Sequence, residues 1–439
     1  MKKRIEQIAK KFLETVHDKD IIILSHYDTD GITSAAIMIK TLRRLDKKFF
    51  VKIVKNLEES IISNLPKDKV VIFLDLGSNS LGYIEQSSLE DVFIIDHHQI
   101  IQQIPKNVNI INPELHGKEK ISTSGLTYLF CKELLPESKD LAKLAIVGMI
   151  GDVLEKNISR LNKQILEEGE IITKRGPLIY PSTRPLNRVL EFNSNPYIPG
   201  ITGNPKGVLN FLREAGICSE NGKYPSLMEL DEQEMSKITT GIMLRSPKIK
   251  NGSDIIGDIF LIKLFNKLED AREISAMINA CGRLGEPHIA IQLCLEIPDA
   301  KKKSESLYVK YKRLIISGLE IASKIEKIEG KSFVIINAKS SILDTLVGTI
   351  ASILSNSPFY EDGTMIITMA YAGNKIKVSA RGVGKQGRNV RAVLNEVVEK
   401  IGGEVGGHEF AAGCLIDKSK EQLFIEEIQK SLEIELVKI

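Results

Sequence analysis

Three short apolar runs in the first hundred residues each break off into acidic or imidazole side chains, and that recurrence limits what this chain can fold into. The runs are IIILSHYDTDG at 21–31, VVIFLDLGS at 70–78 and VFIIDHH at 92–98. Short apolar segments rich in β-branched residues and bounded by polar ones read as buried strands, here at about 21–25, 70–75 and 92–95. TSAAIMIKTLRRL (33–45) has helical spacing, and strands alternating with helices predict βαβ units and a parallel sheet. Right-handed crossovers then bring all strand C-termini to one edge, where open α/β sheets hold ligands. Asp28, Asp30, Asp75 and His97 are therefore expected to meet, though about 70 positions separate the first from the last.

The polar endings are ordered within each run. His26, Asp28 and Asp30 alternate, so they share one side if the chain stays extended there. Asp96, His97 and His98 are adjacent and cannot all reach one ligand, so at most two serve it and the third orients them. A fourth apolar segment, LAKLAIVGMIGD (141–152), reads as a helix and ends at Asp152. A strand ending in solvent accounts for one such string, but not for four. Gathered carboxylates raise each other's pKa unless a cation neutralises them. Asp and His donors without cysteine suit Mn²⁺ or Mg²⁺, and four Asp with two His exceed what one open catalytic ion needs. Two ions bridged by one carboxylate fit hydrolysis of a phosphate ester or anhydride.

HYDTDG, the isolated Asp75, the D-H-H triplet and the later GD, in that order, resemble the four motifs of the DHH phosphoesterases. That group contains RecJ nucleases, oligoribonucleases of the nanoRNase type and family II pyrophosphatases. The resemblance implies that His26, Asp28, Asp30, Asp75, His97 and Asp152 are metal ligands, with Asp75 bridging two divalent ions, Mn²⁺ or Mg²⁺. It places His98 near the scissile phosphate and gives Asp96 the support of the histidine pair.

The C-terminal part extends the likeness. IKVSARGVGKQGRN (376–389) reads as an alternating strand leading to Arg381 and a loop with Lys385 and Arg388. Residues 371–400 hold seven Lys or Arg against two Glu, whereas the whole chain is only +3. IGGEVGGHEFAAGC (401–414) reads as a glycine-rich loop around Gly406, Gly407 and His408, whose N–H groups can approach a phosphate. A GG pair alone is more often a turn. With the SAR string it resembles the substrate-binding domain that accompanies DHH catalytic domains, with Val405 where a further glycine is usual.

The middle reads as an irregular connector or boundary at 182–207, holding Pro185, Pro196, Pro199 and Pro205 of the chain's fifteen prolines. EFNSNPYIPGITGN and DAREISAMINACGRLG (270–285) resemble archaeal RecJ-like nucleases associated with the GINS replication factor. Residues 301–330 carry one apolar helical stripe, read as domain packing. The expected layout is α/β: a parallel-sheet DHH domain (1–200), an inserted, mostly helical region (201–300), a connecting helix (301–330) and a smaller α/β substrate-binding domain (331–439). Five cysteines without a C-x-x-C pair are expected to be reduced, and no run approaches a membrane span, so a cytoplasmic location is expected. The implied function is a metal-dependent exonuclease on single-stranded DNA or RNA, releasing mononucleotides in replication or repair. The alternatives are a short-oligonucleotide phosphodiesterase and a GINS-binding replication scaffold.

Overall fold

The computed structural model describes residues 1–433 apart from 118, 194–197, 246–254, 358 and 385. Five parallel strands, β1 (Ile21–His26), β2 (Phe49–Val54), β3 (Val70–Leu74), β4 (Val92–Ile95) and β5 (Val108–Ile111), lie in the order β2-β1-β3-β4-β5. The order reverses between β1 and β3, which makes a switch point where the chain leaves on opposite sides of the sheet. Helices α1 (Lys2–Thr15), α2 (Thr29–Arg44), α3 (Glu59–Ser63), α4 (Leu81–Gln86) and α5 (Thr123–Leu134) cover both faces, and α6 (Ala142–Gly151) and α7 (Arg160–Glu168) follow. Ile22, Leu24, Val71, Phe73, Val92 and Ile94 pack with Ile62 of α3 and with Leu81 and Ile84 of α4. On the opposite face Phe12 of α1 meets Phe93 edge-on at 5.1 Å and Phe130 of α5 at 5.5 Å. Strands covered on both sides have no polar face to show, which is why they read as unbroken apolar runs.

A second core sits behind this sheet in sequence. Antiparallel β6 (Ile172–Pro177), β7 (Ile256–Leu264) and β8 (Lys267–Asp270) carry α8 (Leu186–Phe192), α9 (Pro205–Glu214) and α10 (Glu232–Arg245). Leu186, Leu190, Ile198, Ile201, Phe211, Ile238 and Ile259 are buried together there. The reading of 182–207 as an irregular connector is thus corrected: α8 has seven residues, too few to show a helical period among prolines, yet its apolar residues are core. Pro196 lies outside the described residues. After β8 come α11 (Ala271–Arg283), α12 (Pro287–Cys294) and α13 (Ala300–Lys324).

The chain divides into two compact units, Met1–Leu307 and Tyr308–Ile439. The long helix stops at Lys324 rather than continuing to 330, because Ile328–Gly330 forms β9 against β10 (Phe333–Asn337). The second unit adds α14 (Val347–Ser355), β11 (Met365–Ala372), β12 (Lys375–Gly382), α15 (Val390–Ile401), β13 (Glu404–His408), β14 (Ala411–Asp417) and α16 (Glu421–Glu433). Its sheet runs β13-β14-β12-β11-β10-β9, with β10 and β11 parallel and the other pairs antiparallel. Phe333, Ile367, Met369, Val378, Leu394, Phe424 and Ile428 form its core. Cys131, Cys281, Cys294 and Cys414 are buried, Cys218 is exposed, and all five are free thiols. No described helix is long and apolar enough to cross a membrane.

Candidate metal centre

β1 and β3 flank the switch point, and their ends deliver the first side chains. β1 stops at His26, and the chain turns at once into α2. Asp28 is the N-cap of α2, accepting from the Gly31 N–H at 3.0 Å, and Asp30 sits in the first turn. The expectation of an extended 26–30 segment is therefore replaced. Helical backbone, rather than alternation along a strand, sets the directions of Asp28 and Asp30, with Asp28 serving as an ordinary N-cap. Asp75 follows β3 with a left-handed φ of 59°, a conformation that aspartate tolerates better than most side chains.

Distances tie the scattered residues together. His26 Nδ1 lies 3.1 Å from Asp28 Oδ2 and 3.3 Å from Asp75 Oδ2. The other Asp75 oxygen, Oδ1, lies 3.5 Å from His97 Nε2 and 3.9 Å from His98 Nδ1. His97 Nε2 is also 3.7 Å from Asp152 Oδ2. Three sets of donor atoms, each within 4.8 Å of one another, result: His26, Asp28 and Asp75; Asp75, His97 and His98; Asp30, His97 and Asp152. Asp75 and His97 each belong to two of the sets.

Asp96 points away from this cluster. Its Oδ2 accepts from the Ser78 N–H at 3.0 Å, and its Oδ1 accepts from the His97 N–H at 2.8 Å and from His98 Nδ1 at 2.7 Å. Burial opposes its ionisation, but His98 overrides burial and holds the Asp96 carboxyl below its ordinary range. Burial would likewise push His98 down, yet the Asp96 charge lifts it to about 10. Asp96 thus anchors an imidazolium at the rim of the cluster.

Small and hydroxyl residues make the close approach possible, and the sequence reading passed over them. Asp30 Oδ2 accepts from the Thr123 N–H at 2.6 Å and Oδ1 from the Ser124 N–H at 2.8 Å, so a metal-ligand candidate closes the N-terminus of α5. Thr123 Oγ1 donates to Asp75 Oδ1 at 3.1 Å. The run Ser122-Thr123-Ser124 before an apolar helix is a capping signal, and only the fold reveals which carboxylates it meets. In α6, a Cβ on Gly148 would stand 2.0 Å from Ser124 Oγ and 2.7 Å from Asp30 Oδ1. Glycine at 148 is what lets the helix carrying Asp152 reach the centre.

A divalent cation fits this donor set. Asp152 Oδ2 is buried without a hydrogen-bond partner. Burial and then the neighbouring carboxylates, Asp30 for Asp152 and Asp28 for Asp75, push both carboxyls well above their ordinary range. Acids raised this way stabilise the fold below the unfolded carboxylate range, near pH 4, and lose that contribution as pH rises through their folded values. His26 and His98, raised by carboxylates against burial, act with the same sign. The depressed Asp28 and Asp96 contribute the opposite trend, but only as pH falls through the acid range. His97, lowered by burial and then by His98, opposes this trend up to the unfolded histidine value of about 6.5, so above about pH 7 chelator-treated protein should melt lower as pH rises, and Mn²⁺ should raise the melting temperature more at pH 9 than at pH 7. Differential scanning fluorimetry with and without the ion checks this, and an increment that shrinks with pH would contradict it.

In the second unit the predicted substrate residues have mixed surroundings. Arg381 on β12 donates from Nε to Ser352 Oγ at 2.9 Å and from Nη1 to the carbonyls of Ala380 and Ala412. Arg388 places Nη1 on the Ser431 carbonyl at 2.6 Å and Nη2 on that of Leu432 at 2.9 Å, capping the end of α16. Lys385 lies outside the described residues. Gly406, Gly407 and His408 form part of the exposed edge strand β13, not a loop. Gly407 has φ 122°, and a Cβ there would meet the Ala411 carbonyl at 2.5 Å, so Gly407 serves tight strand pairing. Arg381 and His408 both pair in register with Ala411, from opposite sides of β14.

Three family models match the chain. They are the DHH family N-terminal domain over residues 20–149, the DHH-CID domain over 179–256 and the DHHA1 domain over 330–433. An uncharacterized protein of Methanocaldococcus jannaschii is 31% identical, over 98% of this chain and 97% of its own length. The single-stranded-DNA-specific exonuclease RecJ of Bacillus subtilis is 25% identical over 35% of this chain, and the match spans only 21% of that protein. Among solved structures, RecJ from Thermus thermophilus in complex with Mn²⁺ superposes with a TM-score of 0.63 at 18% identity, over 99% of this chain and 55% of that one. CDC45 from Entamoeba histolytica gives 0.67 at 12% identity, over 98% of this chain and 99% of that one. At such identities the likeness is one of fold.

Proposed function

The chain belongs to the DHH family of metal-dependent phosphoesterases, and from that premise we propose that it is a RecJ-like exonuclease that hydrolyses single-stranded DNA or RNA to mononucleotides. The observation that carries the reading is Asp75, whose two oxygens face different donor sets, His26 with Asp28 and His97 with His98. A shared carboxylate is what a two-ion site needs. His26, Asp28, Asp30, Asp75, His97 and Asp152 would hold the ions, Mn²⁺ or Mg²⁺. Bound there, the ions would supply Lewis-acid polarisation of the phosphoryl oxygens and a water ionised near neutral pH.

The remaining steps fall to side chains. With Nδ1–H given to Asp96, whose charge favours the protonated ring, His98 has Nε2 left to donate to a non-bridging phosphate oxygen. Water oxygen adds to phosphorus as it releases a proton to solvent, the P–O bond to the leaving nucleotide breaks, and that oxygen takes up a proton from solvent. In the second unit Arg381, Gly407 and His408 would hold the strand, and Arg388 supports α16. A second reading is a replication scaffold such as a GINS partner; the fold likeness to CDC45, which spans both chains almost completely, is compatible with it. A buried carboxylate cluster without use for a cation would cost stability, which weighs toward the enzyme.

End-labelled 20-mers and tetramers of DNA and RNA, incubated with Mn²⁺ or Mg²⁺, test the reading. Stepwise release of mononucleotides from 20-mers is the expected result. Hydrolysis confined to two- to five-residue substrates would establish the short-oligonucleotide alternative, and no hydrolysis of either would leave the scaffold.

A further inference from the structure

Immediately after Asp152 the backbone enters the left-handed region: Val153 has φ 58° and ψ 32°. The turn ends α6 with the Val153 N–H on the Ile150 carbonyl at 3.0 Å and starts a short 3₁₀ turn at Leu154. Among the described residues Val153 is the one β-branched side chain with positive φ, and the conformation is a true outlier for such a residue. Glycine, asparagine or aspartate would adopt it at less cost. Packing does not explain the choice, because Val153 is 60% exposed while Ile150, one turn earlier, is buried. A single exposed valine is ordinary. An exposed valine held in a backbone conformation that disfavours it is not, and strain of this kind collects at functional sites.

Its position supplies the function. The Val153 Cα is about 3.8 Å from that of Asp152, whose Oδ2 belongs to one of the three donor sets. We infer that Val153 is a substrate-contacting, specificity-determining residue: its isopropyl group forms an apolar rest for the base of the nucleotide whose phosphate lies at the metal centre. This rests on the phosphodiesterase reading and deepens it. A nucleotide beside a cluster of carboxylates and imidazoles has one apolar surface, the face of its base, and Val153, exposed and apolar, directly follows one of the cluster's residues in the chain. The left-handed turn holds the side chain out from the end of α6 instead of folding it into the helix packing.

Two variants test the assignment, with melting temperature, kcat and KM measured on a tetranucleotide and on the same tetramer lacking the base at the cleaved end. V153G should melt about 2–4 °C higher, as relief of the strained turn implies. Its KM on the intact tetramer should rise about fivefold to tenfold, the loss expected for an isopropyl group about half covered by the base, and KM on the abasic tetramer should match that of the wild type. V153T keeps the β-branch, so its melting temperature should equal the wild type's while KM rises less. An unchanged KM in V153G overturns the contact, and an equal rise on the abasic tetramer overturns the base as its target. If the wild type cleaves neither tetramer, the phosphodiesterase reading fails separately. Calorimetric binding of thymidine 5′-monophosphate in Mn²⁺ then decides: weaker binding by V153G supports the contact, and equal binding overturns it.

Discussion

Replacing Asp75 with asparagine will stop hydrolysis and empty the centre of metal while leaving the fold intact. Asparagine accepts the left-handed backbone at this position, and its amide oxygen can still take the Thr123 hydroxyl, so the local structure has no reason to change. The charge is what disappears. Because Asp75 serves both His26 with Asp28 and His97 with His98, its loss affects two donor sets at once. Outer-shell partners alone cost about 10–100-fold in metal affinity or activity, so a shared ligand should exceed the upper figure. Metal analysis of the purified variant, turnover and a melting curve form the test. Two ions retained in D75N, or turnover by fully chelated wild-type protein, would defeat the two-ion arrangement.

His98→Ala separates a phosphate contact from a ligand. The variant should keep its metal and lose turnover by about 10²–10³-fold, the range for removal of one preorganised donor at a reacting centre. Asp96 would still accept from the His97 N–H and the Ser78 N–H, so the turn after β4 should hold. His98 also lies within a donor set with Asp75 and His97. Loss of an ion from H98A would therefore make it a ligand, and the assignment at phosphate would fall.

The first unit was legible for a physical reason. Strands buried on both faces become unbroken apolar runs, and the polar residues that end them must face the crevice at the switch point. Asp28 and Asp30 show where this logic stops. Alternation said strand, whereas D-T-D-G before TSAAIM is also a helix start, and helix hydrogen bonding decided. Residues 186–201 defeated pattern reading because a seven-residue helix between prolines has no period, though it anchors the second core. Arg388 shows what counting charge leaves out: a guanidinium fork finds carbonyls at a helix end as readily as phosphates. The role of Gly148 depends on a contact with Ser124 across 24 positions, which no local pattern encodes.

Asp30 joins the centre to α5, and this gives the chain a gauge of its own. The Thr123 and Ser124 amide protons end on the two oxygens of a carboxylate that a cation would draw upon. Their chemical shifts and exchange rates therefore report the charge state of the centre directly, without substrate or turnover. Filling the site would draw electron density from Asp30, lengthen these two bonds and change the protection of the first turn of α5. A pair of backbone resonances could thus distinguish loaded from unloaded molecules in a mixture, and show whether one cation or two is enough to set the helix.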